Sequence, residues 1–215
     1  MKVLHVIATP RAAESTTLSV SRPFLEHLTA ARPDLHVETL DLFATDVPAL
    51  DAQHIDTKYG LLRGQPVALD RAESWGRIED LIAQFLSAQI CVISSPMWNF
   101  HVPYALKYYI DAIVQPGYLF AYENGIPVGL CQGKKMVCVT SRGSDYSTGG
   151  PMHSYDLQET YLRTIFGFVG ISDMDFIHVQ PADMGPDRRD ASVDVGIETA
   201  RRLATSLAGS TVLAG

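Results

Sequence analysis

The chain has 215 residues, 47% apolar and 19% charged, with 17 Lys and Arg against 24 Asp and Glu for a net charge of −7. One domain of this length buries roughly 70% of the surface its unfolded chain exposes, so it needs no disulfide or metal staple. The acidic balance argues against a nucleic-acid binder, the low charge against a disordered chain, and no apolar run approaches the ~18 residues of a membrane span.

Residues 3–8 form a short apolar run followed at once by Thr9-Pro10-Arg11. That is too short for a secretory signal and reads as a buried first strand. A helix is expected from residue 16 to about 31, with Pro23 predicting a kink or a start at Ser21. Residues 36–40 alternate as a second strand. After a long connection, 43–65, the residues Trp75, Ile78, Leu81, Ile82, Phe85 and Leu86 repeat at three and four and mark a helix face. Residues 90–94 are a third strand, and Val102-Pro103 opens a helix with Leu106, Tyr109, Ile110 and Ile113 inward. A second long connection, 115–134, carries Tyr118, Phe120 and Tyr122 among several glycines. Residues 136–140 are a fourth strand. Asp156 and Glu159 resemble a capping box before a stripe of Leu157, Tyr161, Ile165 and Phe168, with Gly170 as the stop. Residues 174–179 are a weaker fifth strand, and a last helix runs from about 191 to 207.

Continuous Val and Ile runs are the pattern of fully buried parallel strands. Their alternation with helices predicts an α/β, doubly wound, five-stranded parallel sheet with helices on both faces. The expected strand order is the flavodoxin-like 2-1-3-4-5, in a single domain spanning 1–215. Ligands of such sheets bind beyond the carboxyl ends of the strands, at the switch point between strands 1 and 3. The chemistry is therefore expected in the loops after strands 1, 3 and 4. Cys91, Cys131 and Cys138 form no CxxC, and Cys91 and Cys138 sit in strand-like runs, which suits a reducing cytoplasm. The seven His have no metal-ligand spacing, so no metal is expected.

The first loop, residues 9–17, has no GxGxxG or GxxxxGK[ST], which argues against dinucleotide and P-loop folds. It places Thr9, Ser15, Thr16 and Thr17 at the start of a helix, where free N–H groups and the dipole favour a phosphate, with Arg11 able to add charge. A Ser/Thr-rich cap that binds nothing is the competing reading. The second loop crowds Pro96, Met97, Trp98, Asn99 and Phe100 at the sheet mouth and suits a flat apolar ring, with a small apolar lid as the alternative. In the third loop, Ser141, Arg142, Gly143 and Ser144 offer hydroxyls, N–H groups and close backbone approach, or else form a long surface loop.

With these loops the sequence resembles the FMN-dependent NADH-azoreductases, within the flavodoxin-like NAD(P)H quinone reductases. Residues 96–143 carry the resemblance, through a PM-aromatic-NF-x-[IV]-P-x-x-L-K-x-x-[IL]-D pattern. FGFVGISDMDF at 166–176 and Ser15-Thr16-Thr17 add to it. The resemblance implies FMN, with Ser15, Thr16 and Thr17 on its phosphate and Thr9 beside them. It puts Pro96 to Phe100 against the isoalloxazine and Ser141 to Ser144 closing the other side. It further implies a homodimer with the active site at the interface, NADH (or NADPH) as co-substrate, and a quinone or azo acceptor. Three departures bear on the acceptor face: Trp98 replaces the usual Tyr, His101 a small residue and Ser144 a second Gly.

The implied chemistry is two-electron, ping-pong hydride transfer in which the cofactor does the chemistry and the protein positions the rings. No side chain is then required as nucleophile, and His101, Phe120 and Tyr146 are the substrate-side candidates. No Arg cluster awaits a 2′-phosphate, which leans toward NADH. The alternatives are a non-enzymatic flavin-binding or electron-carrier protein of the same fold and a phosphodiester hydrolase. The latter would need a metal or nucleophile that the sequence does not display.

Overall fold

The five expected strands all form in a computed structural model, which describes residues 1–210. They are β1 (Lys2–Ile7), β2 (His36–Asp41), β3 (Ile90–Pro96), β6 (Lys135–Ser141) and β7 (Asp173–Val179). They lie in the order β2-β1-β3-β6-β7, every neighbouring pair parallel. Counted among sheet strands alone, this is the expected 2-1-3-4-5. The helices are α1 (Leu18–Ala31), α2 (Ala52–Leu62), α3 (Ala72–Ser87), α4 (Tyr104–Ile113), α5 (Leu157–Phe168) and α6 (Pro186–Ala208).

Both faces of β1, β3 and β6 are dry, which is why these inner strands read as nearly continuous apolar runs. On one face Val3, Ile90, Val92, Val137 and Val139 pack with α1 and α6, through Val20, Phe24, Ala200 and Ala204. On the other, Leu4, Val6, Cys91, Ile93 and Met136 pack with α3, α4 and α5, through Trp75, Ile78, Leu106, Tyr109 and Phe166. The three cysteines are free and buried. Burial pushes the Cys91 thiol up to about 12, so it is an inert packing group.

The structure corrects four local expectations. α1 begins at Leu18 and continues through Pro23, because Val20, Phe24 and Leu28 on its buried face anchor both sides of the proline. In α5 the buried residues are Gln158, Leu162 and Phe166, whereas Leu157 is 52% exposed. The cause is Gln158, whose amide donates to the Pro96 carbonyl at 2.9 Å and so turns that helical face toward the sheet. Asp156 caps α5 by accepting the Glu159 N–H at 3.0 Å, but the return half of a capping box is missing because Glu159 turns to His178 and Arg163. The connection 115–134 folds into an antiparallel hairpin, β4 (Phe120–Glu123) and β5 (Ile126–Gly129). Its turn residues Asn124 and Gly125 have φ of 52° and 80°, the left-handed pair a tight hairpin needs.

Candidate functional site

A cavity of about 160 Å³ opens at the carboxyl end of the sheet, between the loops that follow β1, β3, β6 and β7. Nine residues expected at a cofactor line it: Thr9, Ser15, Thr16, Pro96, Met97, Trp98, Ser141, Arg142 and Gly143. They reach it because parallel strands end on one side, so the register of β1, β3 and β6 brings Thr9, Pro96 and Ser141 together.

The first wall is a set of hydrogen-bond donors. Ser15 and Thr17 hydroxyls lie 2.8 Å apart, and Ser15 Oγ accepts the Leu18 N–H at 3.3 Å. Both side chains are buried behind the loop. Among the described residues, the Thr16 and Thr17 N–H groups have no acceptor. They stand at the N-terminus of α1, whose dipole favours an anion. Thr17 supports this wall without lining the cavity.

The second wall is apolar and preset. Trp98 and His101 exchange backbone hydrogen bonds at 2.9 and 3.0 Å, closing a two-residue turn over Asn99 and Phe100. Those residues have φ of 48° and 69°. Phe at positive φ costs of order 1–2 kcal/mol, strain of a kind that concentrates at ligand sites. Phe100 is 40% exposed at the tip and touches Tyr155, ring centroids 5.4 Å apart. Trp98 is braced by Phe43 at 6.0 Å and Tyr104 at 6.2 Å. Asn99 and Phe100 thus shape the mouth rather than the floor.

The third wall is tied down from below. Met97 N–H donates to Ser141 O at 2.8 Å, joining the second and third loops. Arg142 is 1% exposed. Its Nη1 lies 2.8 Å from Asp156 Oδ2 and its Nη2 3.8 Å from Glu159 Oε2. Burial lowers the guanidinium from its ordinary value, and the two carboxylates oppose that. A hydrogen bond from His178, aided by Arg163, holds Glu159 down at about 2. Arg142 therefore orients its loop, and its backbone is what faces the cavity edge. Ser144 lies outside the cavity lining.

Two solved azoreductase structures share this chain's overall fold. The crystal structure of an azoreductase from Bacillus anthracis str. Sterne matches with TM-score 0.86 at 28% identity, covering 96% of this chain and 99% of its own. That of an FMN-dependent NADH-azoreductase from Bacillus anthracis str. Ames Ancestor, in complex with FMN, matches with TM-score 0.87 at 25% identity, covering 97% and 100%. The flavodoxin-like fold family model matches residues 1–203. An FMN-dependent NADH:quinone oxidoreductase 3 from Pseudomonas fluorescens is 35% identical over 211 residues, covering 96% of this chain and 97% of its own. The chain belongs to the FMN-dependent NADH:quinone oxidoreductase family. A second member, from Nitratidesulfovibrio vulgaris, is 33% identical over 203 residues, covering 94% and 97%.

Beyond this family's shared pattern, the structure adds two residues that sequence reasoning missed. Ala182 and Asp183, after β7, complete the third wall: their N–H groups donate to Arg142 O at 2.8 Å and Gly143 O at 3.1 Å. The signal was the parallel order itself, which sends the fifth strand's loop to the same end. The three substrate-side candidates lie apart from the cavity. His101 stacks on Tyr161 at 4.6 Å. Phe120 is 5% exposed and packs on Phe168 at 4.8 Å. Tyr146 lines a neighbouring cleft with His153, Glu159 and His178.

Proposed function

We propose that this chain is an FMN-dependent NADH:quinone oxidoreductase that also reduces azo compounds. The observation that carries the reading is the cavity, with phosphate donors at one wall and a strained aromatic turn at the next. The residues fit FMN on their own chemistry. Unpartnered N–H groups at Thr16 and Thr17, with the Ser15 and Thr9 hydroxyls, suit a phosphate. Pro96, Met97 and Trp98 offer an apolar slab to a flat ring. Gly143 presents bare backbone to a ligand there, and an added Cβ would meet Asp183 Oδ2 at 2.6 Å and displace that side chain.

FMN held by these walls would supply two-electron redox chemistry between NADH and a quinone or azo acceptor. The chain's own part is positional. The α1 N-terminus fixes the phosphate, the Trp98–His101 turn excludes water from one side, and the Arg142 anchor holds Ser141–Gly143 in place. No side chain needs to act as nucleophile.

The active unit in this reading is a cytoplasmic homodimer with the site at its interface. Supporting it, Phe100, Tyr104 and Tyr108 sit beside the cavity mouth 40%, 61% and 50% exposed, an aromatic surface of the kind interfaces cover. Free, buried cysteines suit a reducing compartment. Among the described residues no helix is long and apolar enough to cross a membrane.

The test is the visible spectrum of FMN-supplemented, desalted protein, followed by anaerobic NADH. A retained flavin band that bleaches in one step and returns with a quinone is expected. A retained band that NADH leaves unbleached would overturn the enzymatic reading, and a protein that retains no flavin would overturn the site.

A further inference from the structure

The charges around the cavity do not cancel evenly. Arg142 is committed beneath the wall to Asp156 and Glu159. Arg163 shares Glu159, at 2.6 Å. Arg11, at the opposite rim, pairs with Glu14 at 3.6 Å. Asp183 differs from all of these. It is exposed and lines the cavity, and among the described residues its carboxylate has no hydrogen-bond or ion-pair partner. Its backbone is fixed by two ladder-like bonds, Ala182 N–H to Arg142 O and Asp183 N–H to Gly143 O. They seat the carboxylate over the Gly143 Cα, close enough that a Cβ there would meet it at 2.6 Å. The cavity lining therefore carries a carboxylate with no partner among the described residues, on an exposed side chain whose backbone is tied to the Gly143 wall.

We propose that Asp183 selects the electron acceptor by charge, admitting neutral quinones in preference to sulfonated or carboxylated acceptors. The proposal rests on the flavin reading above and narrows its substrate class. A carboxylate within several ångströms of an anionic acceptor repels it by an amount that depends on distance and solvent access. At ~7 Å in a largely aqueous mouth this corresponds to roughly a three- to five-fold loss in encounter or binding. Neutral acceptors feel no such term. Because the interaction crosses solvent, salt screens it.

The experiment compares wild type with Asp183→Asn, each reconstituted with FMN and reduced beforehand, so that only the acceptor step is read. Stopped-flow reoxidation is followed with 2-methyl-1,4-naphthoquinone and with 1,4-naphthoquinone-2-sulfonate. The ratio of sulfonate rate to neutral rate is expected to rise roughly three- to five-fold in Asp183→Asn, and the gain to shrink at about 0.5 M salt. Asp183→Glu should keep the wild-type ratio. Independently of turnover, 2-naphthalenesulfonate should bind oxidised Asp183→Asn holoprotein more tightly than wild type, read by the flavin absorbance shift. An unchanged ratio, or a change indifferent to salt, overturns the proposal while leaving the flavin reading standing. A wild-type protein that holds FMN but passes electrons to neither naphthoquinone overturns the enzymatic reading, and this proposal with it.

Discussion

The carboxylate of Asp156 does two jobs with its two oxygens: Oδ1 accepts the Glu159 N–H at 3.0 Å and caps α5, while Oδ2 lies 2.8 Å from Arg142 Nη1. One residue thus starts a helix and holds the loop that walls the cavity. Because Arg142 is 1% exposed, removing Asp156 leaves a buried charge with only the longer contact to Glu159, at 3.8 Å. Asp156→Ala is expected to cost about 4 kcal/mol, about 3 from the broken buried pair and about 1 from the lost cap. Asp156→Asn keeps the cap acceptor and should recover about 1 kcal/mol of that. Urea unfolding of both variants checks the split.

His5 titrates out of register with solvent. It is 4% exposed, its Nε2 lies 2.8 Å from Ser94 Oγ, and burial, with Arg22 adding, lowers it to about 4. As pH falls through about 6.5 the unfolded chain takes up this proton and the folded chain does not. The unfolded state then binds more protons, so stability is full above about pH 6.5 and declines as pH falls toward 4, by up to roughly 3 kcal/mol. His5→Asn should flatten that decline. Unfolding free energies measured across pH 4 to 7 give the comparison.

The first wall, in its proposed role toward a phosphate, makes a prediction about affinity alone. Ser15→Ala removes a hydroxyl that accepts the Leu18 N–H and pairs with Thr17. FMN affinity should fall about tenfold or more, the worth of one hydrogen bond to a charged group. Calorimetric titration of the apoprotein reads it directly, and riboflavin, which lacks the phosphate, should show almost no difference between variant and wild type.

Two glycines separate space needed for folding from space needed at the cavity. A Cβ on Gly129 would meet the Gly170 N and the Val169 C, each at 2.3 Å, where β5 crosses the end of α5. Both obstacles are backbone, so Gly129→Ala should destabilise by roughly 3 kcal/mol or more, or prevent folding. A Cβ on Gly143 would meet only the tip of the Asp183 side chain, which can swing away. Gly143→Ala should fold within about 1 kcal/mol of wild type yet lower FMN affinity. Thermal melts with and without FMN distinguish the two.

Most of the frame was legible because buried parallel strands leave an unmistakable record: residues 3–8, 90–94 and 136–140 are apolar throughout except for His5, Ser94 and Thr140. The loops after the first, third and fourth strands were legible for the same reason, since topology dictates where they go. What escaped was decided by polar side chains in unusual places. Gln158 is fully buried because its amide finds the Pro96 carbonyl, and no hydrophobic pattern announces that. Asp183 reads as one more surface acid until β7 carries it to the Gly143 wall. The hairpin is different, for its Asn124-Gly125 pair is a strong turn signal that the aromatic and glycine content of the long connection obscured.

The sheet order also dictates when the cavity can exist. Its walls come from residues near 9–16, 96–98, 141–143 and 182–183, and β3 separates β1 from β6 and β7 in space. Joining them requires pairings between strands far apart in sequence, such as Val3 with Ile90 and Ser141 with Val179. Such non-local pairings are slow to form. The Ala182 and Asp183 bonds that finish the wall need β7 in place, so the cavity is whole only where all the strands that carry its loops are docked. A ligand that needs all four loops is therefore held only by chains in which the whole sheet, β7 included, is paired.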